Sequence, residues 1–211
     1  MSEERQPYDI ALLSEYARLA QTYETRWASY VATTVEATLS RLHPVGQERI
    51  LDVGCGTGAL LAALAASSAV LSLAGVDPSP EMLRIARTRL GGTVDLREAW
   101  ARQLPHDDGS FDAVVSSSAF HYFRDPGLVL AEMRRVLVPG GRIVVTDWCG
   151  DYLSSRLCGL SLRIRRRPFT RIYTSRQLAR MMETVRFSGI LVDRYRIDWL
   201  WGLMTVTASR P

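Results

Sequence analysis

The sequence predicts an α/β fold, a seven-stranded and mostly parallel sheet whose last strand is antiparallel, with helices on both faces. Between residues 45 and 148, short apolar segments alternate with amphipathic ones, which is the order of strands and helices in a parallel sheet. The apolar segments are continuous, as expected of strands that are buried on both faces. Two further apolar segments, 190–197 and 203–208, follow one another without a helix between them and predict an antiparallel closing pair.

Each element of this fold has a signal in the sequence. Strands are expected where apolar residues run together, over residues 50–53, 71–76, 93–97, 111–117, 142–148, 190–197 and 203–208. Helices are expected where apolar residues recur at steps of three and four, over residues 25–42, 58–67, 79–90, 126–138 and 175–185, after a first N-terminal helix. Ser79 is the expected N-cap of its helix, because Pro80 follows at the first helical position.

Length, composition and charge exclude several classes of protein. The 211 residues are 47% hydrophobic and 23% charged, which is ordinary globular usage and excludes collagen-like and intrinsically disordered chains. No segment approaches the roughly 20 apolar residues that cross a bilayer, and the charged N-terminus MSEERQPYD is not typical of an export signal. The three cysteines have no paired spacing, so we expect a reduced, cytoplasmic protein without a metal site.

A glycine-rich loop follows the strand over residues 50–53. Gly54, Gly56 and Gly58 allow positive φ and let a ligand approach the backbone without a Cβ in the way. Asp77, at the end of the next strand, suits the two hydroxyls of a ribose. The sequence therefore predicts a site for an adenosine-containing cofactor at the carboxyl ends of the strands. Gly54, Gly56 and Ala59 also fit the dinucleotide fingerprint, so these residues alone leave a nicotinamide cofactor open.

Five segments of the chain share their order and spacing with a known family, at residues 51–58, 75–79, 104–112, 120–123 and 137–141. Together they resemble the class I S-adenosylmethionine-dependent methyltransferases, in particular the group that includes the quinone-biosynthesis methyltransferases. The resemblance implies a Rossmann-like fold, S-adenosyl-L-methionine as the cofactor and in-line methyl transfer to a small-molecule acceptor. The alternatives are a nicotinamide-dependent oxidoreductase with the same glycine loop and a non-catalytic, cofactor-binding partner protein.

The resemblance also implies roles for individual residues. Asp77 is expected to bind the ribose hydroxyls, and Met82 to pack near the adenine. The carbonyl of Ser117 is expected to accept from the adenine amino group, and Tyr23 to close over the cofactor. The full set of implied cofactor-binding residues is Tyr23, Asp52, Gly54, Cys55, Gly56, Asp77, Pro78, Met82, Trp100, Ala101 and Ser117.

Trp100 departs from the pattern of the family. Relatives have an acidic residue at this position, where it accepts a hydrogen bond from the adenine amino group. In this chain three arrangements are open: Trp100 stacks on or flanks the adenine, the backbone of Ala101 contacts it, or Glu98 takes the acidic role.

Methyl transfer from a sulfonium makes few chemical demands on a protein. The leaving group departs neutral and needs no acid, so the protein mainly holds donor and acceptor in line within a dry pocket. A base is needed where the acceptor is a phenol or an activated carbon acid. His121, just beyond the fourth strand, is the first candidate base, and Tyr122 the second; the alternative for both is a place in the pocket wall. Trp199 and Trp201 are expected to line the acceptor pocket or to pack in the core.

The insert over residues 149–174 carries six arginines against one acid, Asp151. These arginines suit a carboxylate, phosphate or sulfate on an anionic acceptor. The insert also contains an apolar stripe at helical spacing, at Leu153, Leu157, Leu160 and Ile164. Such a stripe suits a lipophilic acceptor and peripheral contact with an anionic membrane; the alternative is a solvated lid whose stripe packs on the sheet. Because the cluster of arginines is confined to this insert, no nucleic-acid partner is expected.

The predicted organisation is a single methyltransferase domain over residues 1–211. An N-terminal helical cap covers residues 1–44, and the cofactor-binding core covers 45–148. The basic insert or lid over residues 149–174 comes next. The last helix and the closing strand pair then occupy residues 175–211.

Overall fold

A computed structural model describes the chain over residues 7–20, 22–67, 72–164, 168, 171–197 and 201–211. The helices are α1 (Pro7–Leu19), α2 (Tyr23–Leu42), α3 (Ala59–Ala65), α4 (Pro80–Leu90), α5 (Pro126–Val136), α6 (Leu153–Ile164) and α7 (Ser175–Thr184). The strands are β1 (Arg49–Val53), β2 (Ser72–Asp77), β3 (Asp95–Glu98), β4 (Phe111–Ser117), β5 (Leu137–Trp148), β6 (Ser188–Arg196) and β7 (Gly202–Ser209). A short 3₁₀ helix, Phe120–Tyr122, follows β4.

The strands form one seven-stranded sheet in the order β3-β2-β1-β4-β5-β7-β6. Strands β1 to β5 pair in parallel, and β7 is antiparallel to both of its neighbours, β5 and β6. The predicted fold class is therefore confirmed. The strand order reverses between β1 and β4, and in open α/β sheets ligands bind at such a point, outside the carboxyl ends of the strands.

Helices cover both faces of the sheet, and each face has its own apolar core. On one face, residues of α5 and α7 such as Leu130 and Met182 pack against the sheet. On the other face, α2, α3 and α4 contribute residues such as Leu42, Leu61 and Leu83. All five of these side chains are fully buried. Burial on both faces explains why the central strands have continuous apolar sequences.

Strand β5 begins earlier than expected. The sequence predicted a helix to residue 138, a Pro-Gly-Gly break and a strand from residue 142, whereas β5 starts at Leu137, which pairs with Phe111 of β4. The Gly140 N–H donates to the carbonyl of Arg210, and the Arg210 N–H donates to the carbonyl of Gly141, both at 2.8 Å. These bonds to the end of the chain hold the Pro-Gly-Gly segment as an irregular start of the strand, beside a register shift in β4.

The insert contains helix α6, and one of the two expectations for its apolar stripe is wrong. The stripe does not pack on the sheet, because all four of its side chains are exposed. The exposed fraction is 68% for Leu153, 58% for Leu157, 55% for Leu160 and 73% for Ile164. Arginines 165–167 and Trp199 lie outside the described residues.

Among the described helices, none combines the length and the apolar character that crossing a bilayer requires.

A chain of hydroxyl groups joins α2 to the sheet. The hydroxyl of Thr38 in α2 donates to that of Thr146 in β5 at 2.8 Å, and Thr146 lies 3.0 Å from the hydroxyl of Thr205 in β7. The hydroxyl of Tyr195 in β6 lies 2.8 Å from that of Thr205. The three threonines are buried, so the polar contacts fix where α2 crosses the sheet.

We expect Thr146→Val to lower the free energy of unfolding by about 1–3 kcal/mol, because the hydroxyls of Thr38 and Thr205 lose their shared partner in a buried place. Urea denaturation followed by circular dichroism measures the change. The matched control is Thr207→Val, at a half-buried position of β7 outside the chain of hydroxyls. Its effect should stay within about 0.5 kcal/mol, and a similarly small effect of Thr146→Val would show that these contacts do not anchor α2.

Candidate active site

The loop from Gly54 to Gly58 presents bare backbone to a cavity. Its three glycines have positive φ, 80° at Gly54, 53° at Gly56 and 77° at Gly58, in the left-handed region that favours glycine. A Cβ at Gly54 would lie 2.5 Å from the Cβ of Ala119, so space as well as conformation requires glycine there. The N–H groups of Gly54 and Cys55 donate to the carbonyl of Val76 at 2.8 and 3.0 Å, which ties the loop to the end of β2.

Asp77, the last residue of β2, closes this loop from the side. One carboxylate oxygen accepts from the Gly56 N–H and the other from the Ser79 N–H, both at 2.9 Å. Ser79 in turn caps α4 by accepting from the Met82 N–H at 3.3 Å, as its place before Pro80 predicted. Burial raises the pKa of Asp77 to about 6, against the lowering effect of the two backbone N–H groups. The carboxylate is thus held at a fixed position beside the glycine loop.

Asp52 is a buried carboxyl group with unused hydrogen-bonding capacity. It lies in β1 and is 2% exposed, and its Oδ1 has no hydrogen-bond partner among the described residues. Burial, together with the nearby charge of Asp77, raises the pKa of Asp52 to about 8. A buried carboxylate is costly unless a cation pairs with it, so this position fits the ammonium group of an amino-acid ligand.

The predicted cofactor residues all line one cavity of about 150 Å³. These are Tyr23, Asp52, Gly54, Cys55, Gly56, Asp77, Pro78, Met82, Trp100, Ala101 and Ser117. The backbone loop, the carboxylate at the end of β2 and the unsatisfied carboxyl of β1 fit the ribose and the amino-acid part of S-adenosylmethionine. That these residues bind the cofactor stays a prediction.

Trp100 and Ala101 both reach the cavity, whereas Glu98 is not among the residues that line it. The guanidinium of Arg102 lies 4.9 Å from the centre of a Trp100 ring. Such a cation–π contact holds the indole in place. Of the three arrangements that the sequence left open for the adenine, the geometry therefore favours the two that use Trp100 or the backbone of Ala101.

Helix α1, within the expected N-terminal helical cap, covers the predicted cofactor cavity through contacts that the sequence analysis did not identify. Tyr8, Leu12 and Tyr16 line the cavity, and the Tyr8 hydroxyl donates to the carbonyl of Tyr122 at 3.1 Å. Asp9, 1% exposed, lies 3.5 Å from the guanidinium of Arg102. Tyr8 and Tyr122 lie 114 positions apart in the sequence. No local sequence pattern could therefore have revealed their contact.

A second cavity, of about 250 Å³, adjoins the first, and the two share Tyr16, Tyr23 and Tyr122 among their lining residues. Its wall is mainly aromatic, formed by Tyr16, Tyr23, Trp27, Tyr30, Tyr122, Trp148 and Trp201. The indole N–H of Trp148 donates to the Tyr30 hydroxyl at 2.6 Å. Trp201 thus takes the first of its two expected places, in the wall of a pocket.

His121 lies in the wall of the aromatic cavity and is held from two directions. Its Nδ1 is 2.7 Å from Oδ1 of Asp147, and its backbone N–H donates to Oδ2 of the same carboxylate at 2.9 Å. The imidazole also stacks on Trp148, with ring centres 4.6 Å apart and planes 12° apart. A carboxylate at Nδ1 favours the tautomer that carries its proton there, which leaves Nε2 as the basic nitrogen.

Asp147 is a candidate functional residue that the sequence analysis missed. It is the second-last residue of β5 and 2% exposed, and it also accepts from the Trp148 N–H at 2.6 Å. A signal was present, because an acid that ends an apolar strand lies at the same sheet edge as Asp77. Its partner, however, is 26 residues away and on another element.

Tyr122 lines both cavities. Burial raises the pKa of its phenol well above the ordinary value of 10. A phenol that holds its proton so strongly is a poor base at neutral pH. The structure therefore favours the pocket-wall alternative for Tyr122 and leaves His121 as the better candidate base.

Comparisons with known proteins agree with this geometry. Residues 51–145 match the family model of the methyltransferase domain. This region is therefore similar to methyltransferase domains, and the match covers a little less than half of the chain. A demethylmenaquinone methyltransferase of Clavibacter sepedonicus is 46% identical over 114 residues, which make up 53% of this chain and 46% of that protein. A ubiquinone/menaquinone biosynthesis C-methyltransferase of a Geobacter strain is 37% identical over 109 residues, 49% of this chain and 46% of that protein.

The chain spans about half the length of the curated relatives that it matches. Among solved structures, a SAM-dependent methyltransferase of Thermotoga maritima has a TM-score of 0.79 at 20% identity, over 95% of this chain and 100% of that one. At this identity the likeness shows the fold alone. The expected family and fold are confirmed, and the names of these relatives favour methyl transfer over the nicotinamide-dependent alternative.

We expect the binding of S-adenosylmethionine at pH 7 to release a proton. Asp52, with a pKa of about 8, is mostly protonated beforehand and must ionise to pair with the ammonium of the ligand. The affinity should therefore rise as the pH increases from about 6 to about 8. Calorimetry in two buffers of different ionisation enthalpy measures the proton release.

The variant Asp52→Asn should remove most of this release and weaken binding about tenfold to a hundredfold, because a charge-assisted hydrogen bond is lost. The matched control is Asp107→Asn, at an exposed carboxylate outside the cavity. Proton release that is unchanged in Asp52→Asn would show that another group pairs with the ligand.

Proposed function

We propose that this methyltransferase transfers a methyl group from S-adenosylmethionine to a lipophilic small molecule that carries an acidic hydroxyl on an aromatic ring. The observation that carries the proposal is the pairing of His121 with Asp147 in the wall of an aromatic cavity that adjoins the cofactor cavity. Two features support this class of acceptor, namely the aromatic wall and the histidine–carboxylate pair.

The cofactor end of the site is assigned to the first cavity. Asp77 would hold the ribose hydroxyls, Asp52 the ammonium, and the backbone of Gly54 and Gly56 the remainder of the amino-acid part. The bound cofactor supplies a methyl group on a sulfonium, so that its sulfur takes the C–S electron pair as the acceptor forms its new bond to carbon. Because the sulfur leaves uncharged, no residue of this chain has to act as an acid.

The acceptor end is assigned to the second cavity. Aromatic side chains such as Trp27 and Trp201 favour a flat, apolar ring through stacking and edge contacts. Arg26 and Glu15, one cation and one acid, both line this cavity, which gives it no strong preference for an anionic acceptor. The curated relatives are named for quinone substrates, which supports a lipophilic ring over a small anion.

His121 is assigned the role of the base. Its Nε2 would take the proton of the ring hydroxyl as the acceptor attacks the methyl carbon, and would return that proton to water afterwards. Asp147 keeps Nδ1 protonated and stabilises the imidazolium during the transfer. A phenol needs such help at neutral pH, since its ordinary pKa lies near 10.

We expect His121→Ala to lower kcat by about 10²- to 10⁴-fold, because a positioned base is lost, while the affinity for S-adenosylmethionine stays within about twofold. The assay is the transfer of a radiolabelled methyl group to dihydroxynaphthalene. Added imidazole should restore part of the activity, which loss of packing alone would not allow. His106→Ala, at a half-buried histidine outside both cavities, is the matched control. Full activity of His121→Ala would eliminate the histidine as the base.

Asp147→Asn should lower kcat by about a hundredfold or more, because an amide N–H facing Nδ1 favours the wrong imidazole tautomer. The KM for S-adenosylmethionine should change little, since Asp147 does not line the cofactor cavity. A change confined to KM would contradict the role of Asp147 in orienting the base.

If the protein binds the cofactor but methylates none of a set of hydroxylated aromatic rings, the proposed acceptor class is wrong.

A further inference from the structure

We propose that helix α6 docks this protein on an anionic membrane surface and that the acceptor enters the aromatic cavity from that membrane. The docking rests on an exposed apolar face of α6 and on the charges around it. The entry route also rests on the proposed function, because it assumes a lipophilic acceptor.

The docking face is the exposed stripe of α6 defined above, Leu153, Leu157, Leu160 and Ile164. The spacing of four, three and four residues places these side chains on one side of the helix. Single exposed apolar residues are common on protein surfaces, but a contiguous apolar stripe indicates an interaction site. At least half of each of these four side chains is exposed to solvent, so the stripe has no partner among the described residues that buries it.

The reverse side of α6 faces the protein and the acceptor site. Cys158 and Leu162 line the aromatic cavity. Ser155 is buried and its hydroxyl donates to the carbonyl of Gly202 at 3.2 Å, which attaches the helix to the start of β7. A single helix therefore separates the acceptor cavity from the exposed stripe. A surface that covers the stripe lies one helix diameter, about 10 Å, from the place where the acceptor binds.

The charge around the stripe identifies the covering surface as anionic. Arg156, on α6 itself, is exposed, and Arg171, further along the insert, is exposed as well. The segment over residues 149–174 contains six arginines in all, and its one acid, Asp151, accepts from the Ser175 hydroxyl and lies 3.4 Å from Arg194. Anionic lipids attract such residues with about 1 kcal/mol for each charge near the surface.

The length of α6 and the size of its stripe exclude other ways of covering it. The helix has 12 residues, about 18 Å, which is too short to span a bilayer but suits a helix that lies in the interface. Its apolar face, about 18 Å by 10 Å, offers far less than the roughly 800 Å² that each partner buries in a stable protein interface. A second copy on the same face would also bring like-charged arginines together. An anionic membrane surface requires neither a large protein interface nor close contact between like-charged arginines.

The first test is binding to vesicles. The protein should sediment with vesicles of phosphatidylglycerol and phosphatidylcholine, and much less with phosphatidylcholine alone or at high salt. The double variant Leu157→Ser with Leu160→Ser should bind the anionic vesicles at least about tenfold more weakly, because two apolar side chains no longer leave water. The matched control is Leu128→Ser, since Leu128 on α5 is 59% exposed, close to the 58% of Leu157.

A charge variant separates the two contributions. Arg156→Gln should weaken binding to anionic vesicles about fivefold and leave binding to neutral vesicles unchanged. Docking is overturned if the wild type does not bind anionic vesicles at low salt, or if the double variant binds them as the wild type does. It is also overturned if analytical ultracentrifugation shows a dimer that only the double variant loses, since the stripe would then join two copies of the chain.

The second test separates docking from the proposed function. Methyl transfer to dihydroxynaphthalene in water should be equal in the wild type and in the double variant, because Leu157 and Leu160 do not line either cavity. Transfer to an alkylated dihydroxynaphthalene embedded in anionic vesicles should fall at least about tenfold in the double variant. Equal transfer by both proteins in vesicles would overturn the entry route. Vesicle binding that depends on the stripe, without methyl transfer in either medium, would overturn the proposed function and leave docking intact.

Discussion

Two carboxyl groups at the ends of adjacent strands, Asp52 buried and Asp77 half-buried, set the constraint on which the rest of the site depends. Asp77 accepts two backbone N–H bonds, and the Gly56 N–H points at it because the loop takes a conformation that favours glycine. Asp52 has no such bond at Oδ1, and the charge of Asp77 raises its pKa further. The chain thus stabilises one of the two carboxylates itself, whereas the other needs a cation from outside. Binding of a cationic ligand and stabilisation of the fold are coupled at this point.

A second pair of polar side chains, His121 and Asp147, is buried on the other side of the sheet's switch point. Asp147 is the second-last residue of β5, and Asp77 is the last residue of β2. The parallel register of β4 and β5, with Ser117 opposite Thr146, brings the turn after β4 beside the end of β5. His121 lies in that turn and meets Asp147 there. Because all parallel strands end at one edge, the predicted cofactor residues and the candidate base share that edge. The two cavities are neighbours as a direct result of strand order.

The sequence predicted what depends on local pattern and missed what depends on distant contacts. Gly54 and Asp77 were found because a strand, a glycine loop and an acid lie within one short segment. Asp147 was missed, since its role exists only through His121. The same limit applies to the stripe of α6: its periodicity predicted an apolar face correctly but could not show whether sheet or solvent lies against that face. Likewise the Pro-Gly-Gly segment was taken for a break, because the bonds that hold it in β5 come from the end of the chain.

Burial of the candidate groups connects the three parts of the site. Helix α1 covers the predicted cofactor cavity, aromatic side chains line the proposed acceptor cavity, and α6 contributes to its outer wall. In such a setting the carboxylate of Asp147 acts on His121 with little screening, so the pair is stronger than it would be at the surface. The aromatic wall likewise disfavours acceptors that must keep a hydration shell. Entry of the acceptor from an apolar surface is therefore consistent with the proposed methyl transfer. On that route the acceptor loses its water of hydration before it reaches His121, the proposed base.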